Sequence, residues 1–271
     1  MDLQVAGKVA LVTGASKGIG FAIAAALAAV GARLVGNARD EEALEAAARR
    51  LRATGAEVHA VAGDVAQAKQ VKALLARAKE LVGDPAILVA NAGGPPTGAA
   101  AALEDAAWSK GFDLTLMSAV RLARGVLPAM RGAGWGRIVF VTSLAVRQPV
   151  ANLTLSNAFR AGVTAFGRTL ASEVAEHGVT VNAVAPGYTA TERLDELFAD
   201  DYARARLIAT IPAKRFGNPS EIAAAVAFLC SGPAAYVTGQ TLLVDGGLTH
   251  AAPGRSPDTD RSAAEGGTPG Q

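Results

Sequence analysis

Residues 13–20 read Thr13-Gly14-Ala15-Ser16-Lys17-Gly18-Ile19-Gly20 and carry the spacing Gly-x-x-x-Gly-x-Gly between an apolar β-rich run and an amphipathic one. Glycines at this spacing let a chain turn sharply, approach a pyrophosphate with its backbone, and present a helix N-terminus to the negative charge. A tight turn needing glycine for geometry alone would use the same residues, but the strand–turn–helix context favours a dinucleotide. The second strand then ends Gly36-Asn37-Ala38-Arg39. An acidic residue here would hold the adenosine ribose hydroxyls. Instead Ala38 precedes Arg39, which with Lys17 can form charge-assisted bonds to a 2′-phosphate and selects NADP (NADPH) over NAD. The alternative for Arg39 is a surface pair with Asp40 or Glu41. Two further turns, Gly63-Asp64-Val65 and Asn91-Ala92-Gly93, follow the third and fourth strands, where an open sheet meets its ligand.

These turns need a frame, and the chain supplies one by alternating short β-rich runs with longer amphipathic runs. Strands are predicted at 8–13, 33–38, 57–61, 86–90, 137–142, 179–185 and 241–244. Helices are predicted at 18–30, 40–54 with Asp40 as cap, 67–82, 104–131, 155–177 closed by Gly178, and 220–229. Alternation of this kind gives βαβ units: an α/β, doubly wound, Rossmann-like fold with a parallel sheet and helices on both faces. Residues 1–250 form one domain. Residues 251–271 hold no Leu, Ile, Val or aromatic residue and read as a disordered tail.

Composition narrows the function classes. The 271 residues are 51% hydrophobic, enough for a sizeable core. The 26 Lys+Arg nearly balance 24 Asp+Glu, with no basic stripe, which argues against nucleic acid as a partner. One cysteine excludes an intramolecular disulfide or a cysteine-based zinc cluster, no metal is expected, and Cys230 in an apolar run reads as core. No signal peptide and no run of roughly 18 apolar residues is visible, so the expectation is a cytoplasmic protein without membrane contact.

Taken together, TGASKGIG at 13–20, Asp64-Val65, Asn91-Ala92-Gly93, Val141-Thr142-Ser143, the run from Val181 to Gly187 and Val244-Asp245-Gly246-Gly247 resemble the short-chain dehydrogenase/reductase family, nearest its 3-oxoacyl-acyl-carrier-protein reductase-like branch. The resemblance spans nearly all of residues 3–248. It implies a seven-stranded sheet, a homo-oligomer (tetramer or dimer) built on two long helices, and NAD(P)-dependent hydride transfer on a small-molecule carbonyl or alcohol. It also implies a cofactor contact at Pro186-Gly187, with Thr191 and Thr189 by the nicotinamide carboxamide, and a mobile substrate lid at about 188–218.

The family's chemistry uses a Ser to polarise the carbonyl, a Tyr to exchange the proton, a Lys four residues on to lower the Tyr pKa and bind ribose, and an Asn supporting a water relay. Ser143 fits the first role. The Tyr position falls at Ser156, the Lys position at Arg160 and the Asn position at Thr115, so three of four depart from the pattern. An aliphatic hydroxyl is a far weaker acid than a phenol, and Arg160 stays charged, able to bind ribose hydroxyls but not to relay a proton. Positions 156 and 160 still share one helix face. The site is therefore either decayed or rebuilt around a nonstandard donor, such as water held by Ser143, Ser156 and Thr115.

Other candidates are weaker. His59, His177 and His250 read as structural or solvated, Tyr188 as packing on cofactor or substrate, Tyr202 as lid and Tyr236 as core. Arg147, on the loop after Ser143, would recognise an anionic group or a neighbouring carboxylate. The loop 93–96 would frame the cleft. The leading function is an NADP-dependent oxidoreductase. The alternatives are a non-catalytic NADP-binding protein and a non-redox enzyme, for dehydration or isomerisation, on the same scaffold.

Overall fold

A computed structural model of the chain describes residues 2–198 and 200–250. Seven parallel strands lie in the order β3-β2-β1-β4-β5-β6-β7: β1 (Val9–Thr13), β2 (Arg33–Ala38), β3 (Val58–Ala62), β4 (Ile87–Ala90), β5 (Gly136–Val141), β6 (Val179–Pro186) and β7 (Thr241–Val244). Successive side chains of a strand point to opposite faces, and each face has its own core. Ala10 and Val12 of β1 join the cluster under α1 (Gly18–Ala29), α2 (Glu41–Arg52) and α9 (Pro219–Leu229). Val9 and Leu11 join the cluster under α3 (Ala68–Val82), α5 (Ser118–Ala133) and α6 (Thr154–Val174). Burial on both sides explains why β4 reads as an unbroken apolar run and β1 nearly so, while the polar residues of β5 and β6, Arg137, Thr180 and Asn182, are themselves buried.

The strand order reverses between β1 and β4, which opens a crevice beyond their carboxyl ends. Two bonds brace that point: Thr13 Oγ1 donates to Asn91 O at 2.8 Å, and Asn91 N donates to Thr13 Oγ1 at 3.0 Å.

The doubly wound reading holds, with local corrections. The third strand starts one residue later than predicted. The helix expected at 104–131 is α4 (Asp105–Gly111), a π-helical stretch over Phe112–Met117, and then α5. Wider i→i+5 bonding is invisible to a 3.6-residue period. The region expected to form a lid holds two helices, α7 (Glu192–Leu197) and α8 (Asp201–Thr210). Tyr236 is not core: it is fully exposed, because its neighbours Ala234 and Val237 are the residues that turn inward after α9. Tyr202 is exposed on α8, within the stretch expected to form the lid. Cys230 is buried, and burial pushes its thiol up to about 12, so it stays a packing group. The tail expected at 251–271 falls outside the described residues.

Candidate active site

The glycine turn is held by sterics. A Cβ on Gly20 would lie 2.0 Å from Gly14 O, and one on Gly14, whose φ is +63°, would lie 2.7 Å from Asn91 Nδ2. The turn feeds α1, whose first turn has no acidic residue and whose N-cap, Lys17, makes no side-chain cap bond. The first-turn N–H groups therefore meet neither a side-chain cap nor an acid, as an anion site requires. Ser16 and Ile19 complete the turn, and open space surrounds Gly93 across the crevice. Side chains at Gly14 or Gly20 would collide with Gly14 O and with Asn91, so only glycine lets the backbone close into the turn that a pyrophosphate cradle needs.

Asn91 also braces the turn from within. Its amide donates to Thr13 O at 3.2 Å and Gly14 O at 3.4 Å, tying the fourth strand to the glycine turn. At the end of β2, Ala38 is buried and Arg39 exposed. Among the described residues Arg39 has no ion pair: Asp40 instead caps α2 by accepting from Ala43 N at 3.0 Å. Lys17, its expected companion, is bonded to Glu192 of α7. Asp64 accepts from Ala66 N at 3.0 Å, and Val65 is buried beneath it. Asn37, which the motif reading passed over, braces β2 against β3 through Val61 O at 2.9 Å.

Of the family's catalytic positions, Ser156 and Arg160 touch, Thr115 shares a cavity lining with Arg160, and Ser143 directly follows Thr142, one of the carbonyl acceptors of Arg160. Ser143, at the end of β5, accepts from Ala145 N at 3.2 Å and opens a short turn over Leu144–Val146 that packs on α6. Ser156 lies buried in the first turns of α6, and Arg160 Nε donates to its Oγ at 3.2 Å. Arg160 Nη1 donates to Val141 O at 2.8 Å and Thr142 O at 2.9 Å, and its Nη2 reaches Ala92 O at 3.5 Å. No carboxylate pairs with it among the described residues; backbone carbonyls carry the compensation. Burial, with a smaller contribution from the Arg193 cation, lowers its pKa to about 10, so it remains charged at neutral pH. Thr115 sits inside the π-helical stretch, 5% exposed, with its Oγ1 unpartnered. It borders a cavity of about 10 Å³, the space of roughly one water, that Thr13, Asn91, Ser118, Thr142 and Arg160 also line.

The second wall follows β6. Gly187 N donates to Val244 O, and a Cβ on Gly187 would lie 2.6 Å from Asp245 Cα, which is why Pro186-Gly187 and the Asp245-Gly246-Gly247 run occur together. Thr189 is buried, with Oγ1 donating to Gly187 O at 3.1 Å. Thr191 caps α7 and lies 3.5 Å from the position a Gly18 Cβ would take. Tyr188 is half-buried, stacked edge-on against Phe198 at 5.8 Å between centroids, and burial holds its hydroxyl protonated by raising its pKa. Arg193 was not anticipated. A Cβ on Gly94 would stand 3.0 Å from its Nη2, a contact 99 residues apart in sequence that no local signal announces. The histidines stand apart: His59 pairs with Glu57 on the surface of β3, and His177 with Glu176 after α6.

A parallel Rossmann-like sheet with a glycine turn at its switch point, and a serine after β5 whose turn packs on the helix carrying an i,i+4 pair, is the arrangement of the NAD(P)-dependent short-chain oxidoreductases. The chain belongs to that family: the family profile described as enoyl-(acyl carrier protein) reductase matches residues 14–249. It is 41% identical over 248 residues to the 3-oxoacyl-[acyl-carrier-protein] reductase FabG of Pseudomonas aeruginosa, covering 92% of this chain and 99% of that one. Among solved structures it is similar to L-sorbose reductase from Gluconobacter frateurii in complex with NADPH and L-sorbose, at TM-score 0.87 and 37% identity, covering 93% and 100% of the two chains. An actinorhodin polyketide ketoreductase variant with NADPH superposes at TM-score 0.86 and 38% identity, covering 90% and 98%.

Proposed function

We propose that the protein is an NADPH-dependent oxidoreductase of a carbonyl or alcohol substrate that works without a phenolic proton donor. The observation that carries this reading is the bond from Arg160 Nε to Ser156 Oγ, which fills the two positions where the family places its acid and that acid's electrostatic partner. The glycine turn, from Gly14 to Gly20, would hold the pyrophosphate. Arg39, with Lys17 once released from Glu192, would hold the 2′-phosphate. Asp64, Val65, Asn91, Ala92 and Gly93 would border the groove. Arg160 would bind the nicotinamide ribose, and Pro186, Gly187, Thr189 and Thr191 the carboxamide side. NADPH, when bound, supplies the hydride. That relatives solved with NADPH share this fold supports the cofactor choice, as does the unpaired Arg39.

The chain's own groups then divide the work. Ser143 Oγ accepts from Ala145 N and keeps its proton free to donate to the substrate carbonyl oxygen, where negative charge develops. Ser156 Oγ accepts from Arg160, so its proton likewise faces away from the cation. Arg160 stabilises developing negative charge electrostatically and does not titrate in the working range. After hydride transfer the alkoxide takes its proton from water at Ser143, Ser156 and Thr115, and the hydroxide so formed regains a proton from bulk solvent. We extend the proposal to a lid over residues 188–218, a cytoplasmic protein and a homo-oligomer. Phe228 on α9 and Leu242 on the edge strand β7, 37% and 40% exposed, support a covered face there.

The test is NADPH oxidation across a panel of ketones, sugars and oxo acids, with NADPH affinity measured alongside. Turnover on any carbonyl supports the reading. Tight NADPH binding with no turnover would replace it with the non-catalytic binder that the missing Tyr and Lys favour. Cofactor-dependent conversion without a change in absorbance would point to dehydration or isomerisation.

A further inference from the structure

The mouth of the site gathers positive charge. Arg160 reaches Ala92 O, and Arg193 lies against Gly94 two residues on, so both guanidinium groups border the loop that follows β4. Arg147 follows the Ser143 turn, is exposed, and has no ion-pair partner among the described residues. Among the described residues, the acid that pairs with any of these three cations is Glu196, which bonds Arg193 at 3.0 Å with both side chains about half exposed. Such a pair contributes little in water and yields readily to a better-placed anion.

Consecutive residues of α7 divide two tasks. Glu192 bonds Lys17 at the glycine turn, whereas Arg193 packs on Gly94. The phosphate side of the crevice already has the α1 N-terminus, Lys17 and Arg39. Arg193 instead borders the loop after β4 at Gly94, next to the contact of Arg160 with Ala92 O. We propose that the substrate carries a carboxylate, held by Arg193 beside the loop that follows β4, with Arg160 and Arg147 adding longer-range attraction. This names the substrate class for the oxidoreductase reading and rests on it. An anion at Arg193 relieves the repulsion that Arg193 imposes on Arg160. Closure of the crevice excludes water and strengthens the contact.

The experiment compares 2-, 3- and 4-oxo acids, each with its own methyl ester, as substrates with NADPH. At least one acid should exceed its ester in kcat/KM by about tenfold or more, the effect of one charge-assisted bond. The ratio should fall as ionic strength rises. Arg193→Gln should bring it toward one while leaving NADPH affinity unchanged, and Arg193→Lys should retain part of it. Acid-to-ester ratios near one throughout would overturn the proposal. So would an Arg193→Gln variant that weakens NADPH binding and lowers acid and ester turnover alike, since Arg193 would then serve the cofactor. Should no compound turn over, titration of acids and esters into the NADPH-loaded protein, read by nicotinamide fluorescence, gives the same ratio as affinities. Equal binding, or none, overturns the proposal there independently of catalysis.

Discussion

Replacing Ser156 by Tyr and Arg160 by Lys tests the proton-transfer argument most directly, because the two positions lie one turn apart on α6 and touch at 3.2 Å. A positioned general acid contributes about 10²–10⁴-fold in rate, or roughly 3–5 kcal/mol of barrier. The double variant restores both the phenol and the cation that lowers its pKa, so turnover on simple 3-oxo substrates should rise toward that range. Ser156→Tyr alone should gain less, since the two groups act as a unit. Arg160→Lys alone carries a structural cost. Arg160 donates to Val141 O, Thr142 O and Ser156 Oγ from two separate nitrogens, and a single ammonium cannot reproduce that spread. Losing one or two such bonds costs about 1–3 kcal/mol, lowering Tm by roughly 2–10 °C for a domain of this size. The assay is steady-state NADPH oxidation on the wild type and three variants, with cofactor affinity and Tm measured in parallel. Brisk wild-type turnover that falls in a well-folded double variant would refute the reasoning and show that Ser156 and Arg160 form a working pair of their own.

Three further outcomes are expected. Arg39→Ala should weaken NADPH by about tenfold and leave NADH nearly unchanged, because Arg39 is exposed, unpaired and free to meet a 2′-phosphate; equal losses for both cofactors in binding titrations would remove it from that role. Glu221 closes the capping box of α9, and its bond from Arg215 and then Asn218 N holds its pKa at about 2, below the usual 4.5. Its contribution is present above pH 4.5 and is lost as pH falls through about 2, so Tm curves of wild type and Glu221→Gln should converge on acidification; curves that stay parallel would count against it. Deleting residues 251–271, which lack Leu, Ile, Val and aromatic residues, should leave Tm unchanged; a drop of several degrees in calorimetry would show that the segment docks.

Sequence alone determined the alternation of strands and helices, the parallel doubly wound sheet, and the glycine turn at 14–20. Each of these rests on local periodicity, or on glycine where no Cβ can stand, and both are written within a few consecutive residues. It also registered Ser156 and Arg160 on one helix face, because i and i+4 are neighbours whatever surrounds the helix. Tertiary structure decided the partners. Arg160 finds its acceptors at Val141 and Thr142, Lys17 meets Glu192 across 175 positions, and Arg193 settles on Gly94, all through the register of β4, β5 and β6. The unpartnered Thr115 hydroxyl is likewise a product of the π-helical stretch against the sheet, and the exposure of Tyr236 of the way the chain turns between α9 and β7. Contacts of this kind depend on which elements the sheet order brings side by side, and no window of neighbouring residues contains that information.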